Sequence, residues 1–316
     1  MASKTLVSLL VLAGLSHGQY NRYGPIRKNI TWTSCVTVSA PPGFLCGEFD
    51  VPLDYTDVTR GKATLALIKY PSTVQPRKGT IFLNPGGPGE PGLDFLISTG
   101  PGLSNSSGGN TTSVGHIDPR GVGLSYPRIR CFNSTAEQAS FWQGTAPSQL
   151  SSGLLDKSKG NFSNADGTDP NELAFWKQEP LVDYLLLAVG QKCWAENGDH
   201  LSYVGTAAVT RDIVAMHDII EGPGSLINYW GYSYGTVIGN FLVNSELKYH
   251  QLFSSDNLSL CPTVFPHRVG RVILDGVLNP IFWSDVPSYK IWACKHIHFF
   301  GSWSALIPPS RRHPRY

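Results

Sequence analysis

"NYWGYSYGTVIG", residues 228–239, decides how this chain is read. Ser233 stands between Tyr232 and Tyr234, with Gly231 and Gly235 two residues to either side. This is G-x-S-x-G, a pattern in which a serine occupies a sharp strand-to-helix turn and its hydroxyl is thrust out of the fold. The flanks suit that geometry: "SLINYWGYS" (225–233) reads as a strand, and "YGTVIGNFLVNSEL" (234–247) begins a helix. Gly231 and Gly235 let strand and helix approach without side-chain collision. The Ser233 hydroxyl then lies at the carboxyl end of a sheet, beside the amide of Tyr234 and the positive end of the next helix. Ser233 is the candidate nucleophile. A serine in an ordinary strand-to-helix turn is the alternative reading.

Two more loops share this design. In "GTIFLNPGGPGEPG" (79–92) an apolar strand runs into a Gly/Pro loop. A loop so dense in glycine exposes backbone N–H groups, and a hydrolase takes its second oxyanion donor from a loop of this kind. Gly87 is the expected donor, with Gly86 the alternative. In "VGHIDPRGVGLS" (114–125), Asp118 and Arg120 follow a strand on the same edge, where they are expected to hold the loops by ion pairing and backbone hydrogen bonds. Further along, "TAAVTRDIVAMHDIIEG" (206–222) reads as a helix with Thr206 as cap and Gly222 as stop, and helical spacing also runs from Glu172 to Ala195. "RVILDG" (271–276) is one more strand, ending at Asp275. Strands alternating with helices imply an α/β fold, a mostly parallel sheet with helices on both faces.

Composition sets the context. The 316 residues are 41% hydrophobic and 15% charged, as in a globular protein, and 33 Gly with 23 Pro make the chain rich in loops. A formal charge of +2 and the lack of a dense basic run argue against a nucleic-acid partner. Lys4, the apolar run Leu6–Leu15 and the small residues Ser16 and Gly18 read as a secretory signal, 1–18. The run is far shorter than the ~20 apolar residues of a membrane span, so no membrane attachment is expected once it is removed. Asn29, Asn105, Asn110, Asn133, Asn161 and Asn257 open N-glycosylation sequons. Six cysteines fit an oxidising compartment. Cys35 and Cys46 are close enough in sequence to close a small loop, and Cys131 and Cys193 form a plausible second pair. No spacing suggests a metal, and no cofactor is implied.

"NPGGPG", "DPRGVGLS", "NYWGYSYGT" and "RVILDGVLNP", in this order, resemble the secreted α/β-hydrolases related to tripeptidyl aminopeptidase and proline iminopeptidase. The likeness runs from about Cys35 to Trp283. It implies an α/β-hydrolase fold and a serine exopeptidase that removes short N-terminal pieces from peptides through an acyl-enzyme. Ser233 would be the nucleophile, Gly87 and Tyr234 the backbone oxyanion donors, and Cys35–Cys46 and Cys131–Cys193 the group's core disulfides. The expected organisation is a signal (1–18), a disulfide-containing ribbon (19–62) and a partial hydrolase core (63–283) carrying a surface excursion at 132–170. Two stretches depart from the family: "NSELKYHQLFSSDNLSLCPT" (244–263), within an atypical insertion at 244–264, and the tail 284–316. Both read as translated intron or shifted-frame sequence.

The family's triad acid and histidine motifs do not occur. His250, His296, His298 and His313 fall in the departing stretches, and His267 precedes a strand. His116 lies inside a strand, His200 in a loop and His217 on a helix flank. Asp275 is at the correct sheet edge for an acid, although in the family it looks like a conformational residue. A secreted serine peptidase acting on peptides, of low activity as written, is therefore expected. An esterase or lipase-like enzyme and a non-catalytic binding protein of the same fold are the alternatives.

Overall fold

In a computed structural model, the described residues are 29–36, 39–109, 111–145, 177–243, 266–285 and 304–307. The proposed signal, most of the 132–170 excursion, all of the 244–264 insertion and most of the tail lie outside them.

One eight-stranded sheet organises the chain. Its strands are β1 (Thr33–Ser34), β2 (Leu45–Pro52), β3 (Lys62–Tyr70), β4 (Thr80–Asn84), β5 (Thr112–Ile117), β6 (Ile227–Tyr232), β7 (Val269–Asp275) and β8 (Ser304–Ile307), in the order β1-β2-β3-β5-β4-β6-β7-β8. Only β5, β4, β6 and β7 run parallel to their neighbours; the other four pairings are antiparallel. The mostly parallel sheet expected from sequence is thus corrected to a mixed one. The strand–helix alternation that implied parallel pairing holds only for the central four strands. Strands β1, β2 and β3 follow one another through loops without a crossover helix, as antiparallel pairing allows.

Part of the 19–62 stretch expected as a ribbon is described. Leu45–Pro52 is a full member of the sheet, paired with β3 from Leu45↔Lys69 to Pro52↔Lys62. Phe49 and Val51 are buried, and the buried Asp50 carboxylate accepts from Lys62 Nζ and Thr64 Oγ1, both at 2.8 Å. Within the tail, β8 adds antiparallel to β7, with Asp275 opposite Ser304.

Helices cover both faces. Helix α1 (Gly92–Ser106) packs on β3, β4 and β5, burying Leu93 and Leu96 against Phe44, Ile68 and Leu83. On the other face lie helices α4 (Thr206–Glu221) and α5 (Gly235–Val243), over Phe82, Tyr229, Val272 and Leu274. The remaining helices are α2 (Thr135–Trp142), α3 (Glu179–Asn197) and α6 (Pro280–Asp285). Helix α4 stops at Gly222 (φ 92°), as its sequence suggests, but Gly205 rather than Thr206 caps its start. The Thr206 hydroxyl instead lies 2.7 Å from the Tyr234 hydroxyl. Both Cys35–Cys46 and Cys131–Cys193 are disulfide-bonded. Among the described residues no helix is long and apolar enough to cross a membrane.

Candidate active site

The four parallel strands end together, at Asn84, Ile117, Tyr232 and Asp275. From β4 the chain crosses to β5 on one side; from β6 it crosses to β7 on the other. The carboxyl ends of β4 and β6 therefore flank a topological switch point, where an open α/β sheet leaves a crevice for ligands. The glycine loop leaves β4 there, and the serine turn leaves β6.

Ser233 has φ 51°, the one left-handed value at a non-glycine position among the described residues. For an L-residue this costs about 1–2 kcal/mol, so the surroundings must hold it. The Ser233 N–H donates to the Asp275 carbonyl at 2.9 Å. The Ser233 carbonyl accepts from the Thr236 N–H at 2.9 Å and the Thr236 hydroxyl at 2.7 Å. Thr236 Oγ1 in turn accepts from Leu278 N–H at 2.9 Å, and the buried Tyr229 hydroxyl donates to the Gly235 carbonyl at 2.7 Å. The turn is thus tied to β7, to the segment after it and to the floor of its own strand. Close approach explains the paired glycines. A Cβ on Gly231 would stand 2.3 Å from the Gly235 carbonyl oxygen, and one on Gly235 2.7 Å from that of Asn84.

The glycine loop presses on this turn. A Cβ on Gly86 would lie 2.6 Å from the Tyr232 carbonyl oxygen and 3.0 Å from both Ser233 Cβ and the Tyr234 nitrogen. The Gly86 N–H donates to Asn84 Oδ1 at 2.9 Å, so the alternative oxyanion donor is already engaged. Neither the Gly87 nor the Tyr234 N–H donates to another described residue. Tyr234 sits just ahead of α5, and its ring packs 5.3 Å from that of Trp283.

Asp118 and Arg120 are buried and serve different loops. Asp118 accepts from Gly92 N–H (2.9 Å) and Leu93 N–H (3.4 Å) at the start of α1, and from Leu124 N–H (2.8 Å). Helix α1 has no side-chain cap of its own, and the Asp118 carboxylate fills that role from across the loop. Burial pushes the Asp118 carboxyl up, against the pull of those three N–H groups. Arg120 makes a two-pronged pair with Asp212 of α4 at 2.8 and 2.6 Å, and donates to the carbonyls of Pro52, Leu53 and Tyr203. Tyr55 adds its hydroxyl to Asp212 at 2.5 Å. Burial opposes the Arg120 charge, yet the Asp212 carboxylate outweighs it and holds the guanidinium above its ordinary range.

Sequence reading missed Asp212 and Asn84. Asp212 was detectable as a charged residue on the apolar stripe that carries Val209, Ile213 and Met216. Asn84 was visible at the head of the glycine loop, but its bond to Gly86 depends on the turn.

The histidines are dispersed. His217 is buried at the end of α4, against the Phe82 ring and near Ser225 Oγ (3.3 Å) and the Arg268 guanidinium (3.5 Å). That is the amino edge of the sheet, opposite Ser233. Burial, then the Arg268 charge, lowers its pKa to about 4. His267, in a short 3-10 turn before β7, is on the same far edge. His200 packs edge-on against Tyr126, and His116 falls within β5. His250, His296, His298 and His313 lie outside the described residues. The Asp275 carbonyl holds the serine turn, and its side chain is half-buried.

No family model matches the chain. It is 30% identical over 266 residues to serine protease Hip1 of Mycobacterium tuberculosis, covering 79% of this chain and 40% of that protein. It is 28% identical over 292 residues to tripeptidyl aminopeptidase of Streptomyces lividans, covering 88% and 43%. A shorter likeness, 34% over 105 residues, covers 32% of the chain and 20% of carboxylesterase B of Mycobacterium tuberculosis. The chain is similar to hydrolases, serine peptidases among them. It spans about two-fifths of the length of the first two.

Proposed function

We propose that this chain carries the nucleophile and oxyanion-binding half of a secreted serine hydrolase of the α/β-hydrolase fold, most closely a peptidase acting at peptide N-termini. The left-handed Ser233, wedged between β6 and α5 with the glycine loop against it, carries the reading. In the reaction, Ser233 Oγ attacks the scissile carbonyl and gives its proton to a base. Gly87 and Tyr234 N–H groups receive the resulting oxyanion, the amine leaves with a proton, and water hydrolyses the acyl-serine. Asp118, Arg120, Gly86, Gly231 and Gly235 shape the site and Asp275 anchors the turn, without entering the chemistry. Two disulfides support secretion into an oxidising compartment. Exposed Asn29, Asn105 and Asn133 are suited to glycosylation, while Asn110, Asn161 and Asn257 lie outside the described residues.

Among the described contacts no histidine reaches Ser233, and His217 and His267 stand at the opposite sheet edge. Without a base, catalysis of this kind retains only about 10³–10⁴-fold over water. The chain is therefore expected to acylate from an activated p-nitrophenyl ester in a slow stoichiometric burst, and to release N-terminal tripeptidyl amides far more slowly. Mass spectrometry should locate the acyl group on Ser233, and Ser233→Ala should abolish the burst. A burst that survives Ser233→Ala, or an acyl group on another residue, contradicts the proposal. The likeness to carboxylesterase B favours an esterase as the second reading. Faster Ser233-dependent turnover of short acyl esters without any amide hydrolysis would select it.

A further inference from the structure

At the amino edge of the sheet, opposite Ser233, lies an open groove of ≈ 470 Å³. That volume is in the range of small-ligand sites. The end of β3, the start of β4, the end of α4 and the segment before β1 enclose it. Trp32, Ile219 and Ile220 supply apolar wall; Lys69 and Gln75 supply hydrogen-bonding groups. Lys69 Nζ rests 4.1 Å from the Trp32 ring centre. Asn29, the first residue of the sequon Asn29-Ile30-Thr31, is exposed and itself lines the groove.

An Asn-linked glycan begins with acetamido-sugar rings that carry a C–H face, hydroxyl edges and an acetamide. Apolar wall next to amino and amide donors matches that chemistry. We propose that the glycan on Asn29 folds back into this groove, its first sugars lying against Trp32 and Ile219–Ile220 and bonding Lys69 and Gln75. The proposal rests on the secretory reading above, not on Ser233 chemistry. In attachment, Asn29 Nδ2 displaces a lipid diphosphate from the anomeric carbon of the donor oligosaccharide and loses one proton. Covalent attachment at the rim makes docking intramolecular. At an effective concentration of about 1 mM, a contact with an intrinsic Kd of about 0.1 mM is filled about ten to one.

The test uses the full chain from a eukaryotic secretory host. Occupancy at each sequon, and the rate at which peptide-N-glycosidase releases each glycan, are followed by mass spectrometry in the native and denatured protein. Asn29 is expected to be occupied and released about tenfold more slowly than Asn105 and Asn133 in the native protein, with rates converging after denaturation. Lys69→Gln should speed native release at Asn29 without changing its occupancy. Asn29 left bare while Asn105 and Asn133 are modified, or native release as fast as theirs, overturns the docking proposal. No modification at any sequon overturns the secretory reading as well.

Discussion

Under the proposed function, Ser233 couples catalysis to conformational strain. Its left-handed backbone is disfavoured by about 1–2 kcal/mol for an L-residue, whereas glycine takes this conformation freely but loses about 0.5–1 kcal/mol through chain entropy. Ser233→Gly should therefore be more stable than Ser233→Ala, by up to about 1 kcal/mol in urea unfolding. Equal stabilities would show that residue 233 is not held in the left-handed region in solution. Asn84 is the second informative residue. By accepting the Gly86 N–H it uses up one loop donor, which under the proposed function leaves the Gly87 N–H to receive the oxyanion. Asn84→Ala should lower the acylation rate at Ser233 by about 10–100-fold, short of the 10²–10³ lost with a direct donor. Asn84→Asp, which keeps the acceptor oxygen but adds a negative charge, should also acylate slowly while retaining the fold. Unchanged acylation in Asn84→Ala would remove Asn84 from the account.

At the scale of single elements, α4 carries a pH sensitivity. Its His217 is buried beside Arg268, with Asp218, Glu221, Ser225 and the Phe82 ring around it. The native imidazole titrates at about 4, against 6.5 when free of the fold. Between those values the unfolded chain binds the proton and the folded chain does not, so stability rises with pH. The contribution is fully present above about 6.5 and falls by about 3 kcal/mol as pH drops to about 4. Melting temperature should drop more steeply from pH 7 to 4.5 in the wild type than in His217→Gln; parallel profiles would contradict this. Sequence patterning served the parallel elements best: the apolar strand before Ser233, the helix after it and the glycine stop of α4 were all legible. Strand β2 was not. Cys46, Gly47 and Glu48 break its alternation, and the buried Asp50 takes its partners from β3, which only the pairing reveals.

Over the whole molecule, the Arg120–Asp212 pair ties α4 to the sheet. It joins the loop after β5 to α4, and its remaining donors hold the carbonyls that end β2. Removing one charge leaves the other buried and unpaired, so Arg120→Met should cost about 3–5 kcal/mol, and Arg120→Met with Asp212→Leu should recover much of it. A double variant no more stable than the single one would contradict the pairing argument. This joint was only half legible in sequence: Arg120 stood in a recognisable motif, but its partner is 92 positions away. The base for Ser233 was not legible at all, and among the described contacts no histidine reaches Ser233. The central claim is that Ser233 is a presented nucleophile beside waiting backbone donors. A fluorophosphonate probe, followed by peptide mass mapping, tests it most directly. Slow, stoichiometric phosphonylation confined to Ser233 and lost in Ser233→Ala is expected. A folded chain that stays unlabelled at Ser233, or that labels equally well without it, would contradict the account.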